Sequence, residues 1–387
     1  MQDRRRTTGP RVRPVLNPTL QLTAVVDVSR RLSGRRRVEV SDQRIVRFLL
    51  SRATRGGPAP RLGGALRRRL LEDGILIRPS DVPRRVHLDP RLRVASGAGI
   101  RGAEGRSLHL SARCVLHRGP SPPRGVAPQG LEPFLPREAI LWVFQRGSRM
   151  ALPYTLAPQL VGAVRGLLRG RPDRSRFRRA AIAALQQAGA LADPPGGAGR
   201  ARTWRRKLGI WREELRTHGY VALHGLFNPI FLDALREYYQ RLEGEGYLPG
   251  YDPRPSGAPL LYDEPLLCFL GAQLASVVRQ VTGVRLSWTF SYLRACGPGS
   301  VLARHRDAPV CRWNVDLVVG GSPSPDRRRA WPLWVEGRTG PKSIRLGLGD
   351  GLLYRGALLP HWRTPQAGSK TTLLGCMHYG AAPRSKP

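Results

Sequence analysis

Apolar residues recur along this chain with two spacings, and the change from one to the other divides it. Trp204, Leu208, Trp211 and Leu215 return every three or four positions, which marks one face of a helix. Asn228 followed by Pro229 is a helix start: a side chain able to cap, then a residue with no amide hydrogen at the first helical position. Leu232, Leu235, Tyr238 and Tyr239 continue that helix. A third helix is expected over 265–281, stopped by Gly283. A strand over 219–223 separates the first two. Beyond residue 286 the spacing shortens, and strands are expected at 286–294, 312–319, 331–336, 343–348, 351–354 and 370–379. Helices followed by six short strands predict an all-β barrel or jelly roll supported by helices.

The upstream half is patterned more weakly. Residues 1–40 read as a basic, loosely ordered arm with one apolar stretch at 20–28 that fits a strand. Asp42 is placed to cap a helix over 44–50, Gly56-Gly57-Pro58 breaks it, and a second helix over 62–72 ends at Gly74 before Ile75-Leu76-Ile77. The same order returns later: a helix at 160–168, Gly170-Arg171-Pro172, a helix at 177–188, Gly189 and Ala190-Leu191. The repeat reads as two winged-helix-like units, either a recognition module for nucleic acid or peptide, or two helical hairpins of a scaffold. Short strands are expected between them at 86–88, 108–110, 114–116 and, most clearly, 139–144. His87, His109 and His117 lie there without metal-ligand spacing. The run Asp193-Pro194-Pro195-Gly196-Gly197-Ala198-Gly199 is a linker. The expected organisation is an arm over 1–40, a mostly helical N-terminal α/β region over 41–200, and a domain over 201–387. The fold class is α+β, with a C-terminal double-stranded β-helix.

Composition changes this picture only in part. Hydrophobic residues make up 41% of the 387, enough for real cores. The net charge of +38 points to polyanions, since clustered cations release counterions from phosphates. Yet only Lys207, Lys342, Lys370 and Lys386 are lysines; the other basic residues are arginines spread along the whole chain. That spread resembles a compositional bias more than a built interface, so nucleic acid enters as a partner of the basic N-terminal region only. The five cysteines are odd in number, far apart and lack any CxxC pair, which speaks against a disulfide framework. No apolar run reaches the roughly 18 residues that span a bilayer, and no apolar segment follows the basic residues of 1–13. The expectation is cytoplasmic, with no membrane partner.

The candidate chemistry lies in three residues. His305 and Asp307 are two apart, and on an extended chain such residues share a face, so they can hold one ion together. His361, after Pro360, is available as a third ligand. Two histidines and one carboxylate on one side of an octahedral ion leave open positions, an arrangement suited to non-haem ferrous iron. The surrounding frame runs from the turn Cys296-Gly297-Pro298-Gly299-Ser300 through Gly349-Asp350-Gly351-Leu352-Leu353-Tyr354-Arg355-Gly356 to Leu359-Pro360-His361 and the segment 370–379.

With those motifs, residues 204–380 resemble the prolyl 4-hydroxylase-like branch of the iron(II)/2-oxoglutarate-dependent oxygenases. The resemblance implies a dioxygenase with Fe(II) at His305, Asp307 and His361. It also implies 2-oxoglutarate as cosubstrate, with ascorbate as an added reductant. It assigns Lys370, nine positions after His361, to the far carboxylate of 2-oxoglutarate, with Thr372 on the same face. The substrate it implies is a peptide or protein side chain such as proline. Two positions depart from the pattern. Cys296 stands where relatives carry a cosubstrate-binding Tyr, with Tyr292 the nearest candidate. Cys376 stands where the repair branch carries a second arginine. Arg294, Arg304, Arg306, Trp313, Arg355 and Arg363 are candidates to line the mouth of the site. His378 is expected to be a strand residue near it, and Asp350 a turn residue.

Overall fold

The structure is a computed structural model. It describes residues 24–30, 34–40, 63–72, 86–92, 110–111, 113–118, 123, 126, 138–145, 147–170, 179–192, 199–245, 260–262, 264–309, 311–367 and 369–381. The chain divides into two compact units, Met1–Pro83 and Arg84–Pro387.

In the first unit β1 (Ala24–Arg30) and β2 (Gly34–Val40) form an antiparallel hairpin, and α1 spans Gly64–Glu72. The strand expected at 20–28 is therefore β1, and it has a partner that the reading of 1–40 as a loose arm did not foresee. The expected helix at 44–50 and the strand at 75–77 lie outside the described residues, so of the first copy of the proposed repeat only α1 is described.

The second unit begins with a four-stranded sheet in the order β3-β6-β5-β4. Its strands are β3 (Arg91–Leu92), β4 (Cys114–Arg118), β5 (Ala139–Phe144) and β6 (Ala151–Leu156). Helices α2 (Pro158–Leu168) and α3 (Arg179–Gln187) follow. Among the described residues of 41–192, three helices accompany four strands, and the helices are the longer elements. Short strands such as β3 carry too little periodicity to be read. The segment 86–88, expected as a strand, is irregular.

Helices α4 (Gly199–His218), α5 (Pro229–Gly244) and α6 (Pro265–Thr282) match the three expected helices. Asn228 caps α5 by accepting from the Phe231 amide at 3.0 Å. Gly283 ends α6 with φ at 71°, a backbone state that costs a residue with a Cβ. By length and composition α6 could cross a membrane, but two thirds of it is buried in protein (67%). Here it is a core helix packed against β9 and β16.

Two antiparallel sheets complete the unit. A six-stranded sheet runs β7-β14-β11-β16-β9-β8, and a four-stranded one runs β10-β15-β12-β13. The strands are β7 (Tyr220–Leu223), β8 (Leu260–Tyr262), β9 (Leu286–Cys296), β10 (Leu302–His305), β11 (Trp313–Gly320) and β12 (Leu333–Gly337). Next come β13 (Gly340–Ile344), β14 (Gly351–Tyr354), β15 (His361–Arg363) and β16 (Thr372–Ala381). Strand side chains alternate between faces. On the central strand β11, Val315, Leu317 and Val319 join the helices in one core, with Leu353, Met377 and Tyr379. The other face supplies Val318, Leu352, Tyr354 and Leu374, which meet Leu333 and Val335 of the smaller sheet. Covered on both sides, β11 buries Asn314 and Asp316 on the face toward the smaller sheet.

A single apolar cluster extends from Val86 to Tyr379, so the expected boundary near residue 200 falls inside the second unit. Specific contacts join its two ends. Trp142 meets Phe269 edge-on at 6.1 Å, Ala151 donates its amide to Gln273 Oε1 at 2.8 Å, and Trp204 donates to Gln280 Oε1 at 3.0 Å.

Candidate metal centre

His305 and His361 face each other as register partners across β10 and β15. Antiparallel pairing sets directly opposed side chains close together, and the two imidazole centroids are 4.2 Å apart. Asp307 lies just past β10, where its amide donates to the Gly356 carbonyl at 3.0 Å. That bond turns its carboxylate back toward the histidines. His305 Nε2 and His361 Nε2 lie 3.6 and 3.7 Å from Asp307 Oδ1. One ligand atom from each residue falls within 4.8 Å of the other two, and among the described residues this is the group able to hold a metal ion.

Each histidine is oriented by its other nitrogen. His305 Nδ1 is 2.8 Å from the Ala303 carbonyl, and His361 Nδ1 is 3.0 Å from the Leu359 carbonyl. A carbonyl only accepts, so both Nδ1 atoms carry a proton and both Nε2 atoms face the carboxylate. Donor sets for metals are held in this way. Asp307 Oδ2 accepts from Asn314 Nδ2, and Asn314 Oδ1 accepts from His378 Nδ1 at 3.0 Å. His378 is buried and stacked on Phe290, with centroids 4.3 Å apart. It is thus tied to the Asp307 carboxylate through one amide, a stronger link than a nearby strand residue was expected to have.

Without an ion the three side chains are electrostatically coupled to one another. The hydrogen bond to Asp307 raises the proton affinity of His305 above the ordinary imidazole value, against burial. Burial works against the Asp307 carboxylate, but His305, His361 and Asn314 outweigh it and the net direction is down. His361 is buried and Asp307 nearly so, while His305 is 37% exposed and marks the open flank.

A cavity between the sheets starts at the three ligands and runs inward past Tyr292, Arg294, Cys296, Asp316, Arg363 and Cys376. Burial drives the thiols of Cys296 and Cys376 and the phenol of Tyr354 upward, so they stay neutral. Tyr292 lines this cavity. Lys370 and Thr372 do not line it; they line a neighbouring cavity with Asp326 and Arg329. Strand β16 begins only at Thr372, so Lys370 sits before the strand, exposed, with Nζ 3.3 Å from the Arg329 carbonyl. Thr372 Oγ1 accepts from Gln366. Of the arginines expected at the mouth, Arg294 and Arg363 are inside. Arg304, Arg306 and Arg355 are exposed, and Arg355 lies over the Trp313 ring at 5.6 Å. Asp350 is more than a turn residue: it is buried and ion-paired with Arg327 at 2.9 Å and His224 at 3.0 Å.

No protein-family model matches the chain, and no curated protein matches it. Solved structures similar to it include EctD from S. alaskensis with bound iron, at 14% identity over 44% of this chain and 76% of that one, TM-score 0.38. A prolyl-4-hydroxylase from Pseudomonas putida is similar at 18% identity over 44% of this chain and 98% of that one, TM-score 0.36. HygX from Streptomyces hygroscopicus, solved with nickel and 2-oxoglutarate, is similar at 17% identity over 46% and 87%, TM-score 0.36.

Proposed function

We propose that the chain is an Fe(II)-dependent oxygenase that uses 2-oxoglutarate as cosubstrate, with His305, Asp307 and His361 as metal ligands. The observation that carries this reading is the convergence of two Nδ1-anchored imidazoles and one carboxylate at the mouth of a cavity between two sheets. Two nitrogens and one oxygen on one side of an ion suit ferrous iron and leave room for a chelating cosubstrate. When bound, the iron and 2-oxoglutarate would supply the electrons that activate dioxygen, the oxidant of the hydroxylation.

The chain's own residues do the positioning. The Ala303 and Leu359 carbonyls fix both ring orientations. Asn314 occupies Asp307 Oδ2 and leaves Oδ1 toward the histidines. Leu302, Tyr354 and Leu374 line the inner cavity and keep it dry. The two facing sheets are read as the expected jelly roll.

A substrate would reach the metal along the exposed flank of His305. The class favoured by the sequence resemblance is a peptide or protein side chain such as proline, with the region before residue 200 as its docking part.

The test needs no substrate. Fe(II) and 2-oxoglutarate are added to the full chain without oxygen and the visible spectrum is recorded. The expected outcome is a weak charge-transfer band that is absent in His305→Ala. A folded wild-type protein with no band would overturn the reading.

A further inference from the structure

Deep in the cavity lie two arginines that the metal centre does not use. Arg363 is two residues beyond His361 on β15, so it points to the same face, and it is 3% exposed. Its Nη1 donates to the Trp331 carbonyl at 2.7 Å and its guanidinium lies over the Trp331 ring at 4.8 Å. Its Nη2 is buried with no hydrogen-bond partner. Arg294 enters from β9 on the opposite sheet, and its Nε is likewise buried and unpartnered. Neither has a carboxylate within ion-pair distance among the described residues.

Buried guanidinium groups left unpaired are costly, and natural chains seldom keep them without a counter-charge. Apart from Asp307 at the mouth, the cavity offers one anion, Asp316, whose Oδ2 accepts from the Tyr354 hydroxyl at 3.3 Å. At this inner end two guanidinium groups stand against one carboxylate. A ligand carboxylate would balance them and satisfy the free N–H groups, and arginine suits that task through its planar fork of donors.

We infer that Arg363 and Arg294, not Lys370, form the clamp for the remote carboxylate of a dicarboxylic ligand whose other end faces the metal. The inference rests on the oxygenase reading for the identity of that ligand, 2-oxoglutarate. The clamp itself is defined without the metal. Lys370 is set apart by its place: exposed, ahead of β16, and lining a neighbouring cavity that shares Arg363 and Trp331 but none of His305, Asp307 and His361.

Two titrations of the full chain test it separately from the metal centre. The first follows glutarate binding to metal-free protein by calorimetry. The second follows 2-oxoglutarate and 2-oxobutyrate, which lacks the remote carboxylate, binding to Co(II)-loaded protein. Arg363→Gln and Arg294→Gln should each weaken glutarate and 2-oxoglutarate binding by about 10- to 100-fold, the worth of a charge-assisted hydrogen bond. Both should leave 2-oxobutyrate unchanged, and Lys370→Ala should leave all three unchanged. If Arg363→Gln fails to fold, Arg294→Gln and the charge-retaining Arg363→Lys carry the comparison. The clamp is overturned if wild-type protein ignores glutarate, in which case Asp316 alone matches the arginines. It is also overturned if Lys370→Ala weakens 2-oxoglutarate as much as the arginine variants do. Failure of the wild type to take up Co(II) would instead sink the oxygenase reading, while the glutarate titration still decides the clamp.

Discussion

Gly356 and Asp307 are packed so closely that a Cβ on the glycine would overlap the aspartate Oδ2, and Asn314 Nδ2 beside it. The same glycine accepts the Asp307 amide through its carbonyl. Glycine is required here for lack of space, not for an unusual backbone angle. Gly356→Ala should therefore displace the ligand carboxylate and weaken Co(II) binding by at least about tenfold, with little change in far-ultraviolet circular dichroism. Cobalt absorption against protein concentration measures this, and unchanged affinity would show that the carboxylate has another resting place.

Asn314 couples Asp307 to His378. Asn314→Ala removes both hydrogen bonds and leaves His378 Nδ1 buried without an acceptor. Metal affinity should fall by about 10- to 100-fold, the usual effect of losing a group that orients a ligand. Equilibrium dialysis of Asn314→Ala against wild type decides it, and equal affinities would reduce Asn314 to a packing residue.

The capping bond of Asn228 carries a stability prediction far from the metal. Its Oδ1 holds the first turn of α5 and its amide donates to the Tyr154 hydroxyl. Asn228→Ala should cost about 1–2 kcal/mol in chemical denaturation. Adding Tyr154→Phe should recover the part of that loss due to the unmatched hydroxyl and leave the cost of the cap.

Asp350 supplies a pH dependence. Burial opposes its ionisation, but His224, Arg327 and the Gly347 amide outweigh this and its folded pKa lies below the ordinary 3.8. A depressed carboxylate gives stability that is complete above its unfolded pKa and is lost as pH falls through the folded value. Wild-type protein should lose thermal stability as pH is lowered through and below about 3.8, and Asp350→Asn should lose less over the same interval. Parallel melting curves for the two proteins would show that the ion pairs contribute nothing.

What the sequence displayed and what it hid follow one physical rule. Long elements with a sustained period were legible: α4, α5, α6, β11 and β14 lie where the apolar spacing put them. The Asn228-Pro229 start is local chemistry and was legible too. Strands β10 and β15 span four and three residues, too few to show a period, so the facing of His305 and His361 could only be guessed. Arg294 and Arg363 were named only among six candidates for the mouth of the site, and nothing ranked them above the others. In a chain so rich in arginine, two more carry no contrast, and burial is a tertiary property. Lys370 drew attention through its rarity, and it lies exposed just before β16.

The pairing of His305 with His361 has a consequence for folding itself. The register of β10 against β15 decides whether two imidazoles meet or point apart, since a slip of one residue would send one of them to the far side of the sheet. An ion held there would act as a clasp on that register. It would close the long stretch of chain between the two strands, which carries β11, β12, β13 and β14. Its binding energy would then serve as folding energy for the smaller sheet. Metal content, on this view, sets how firmly two very short strands stay in step.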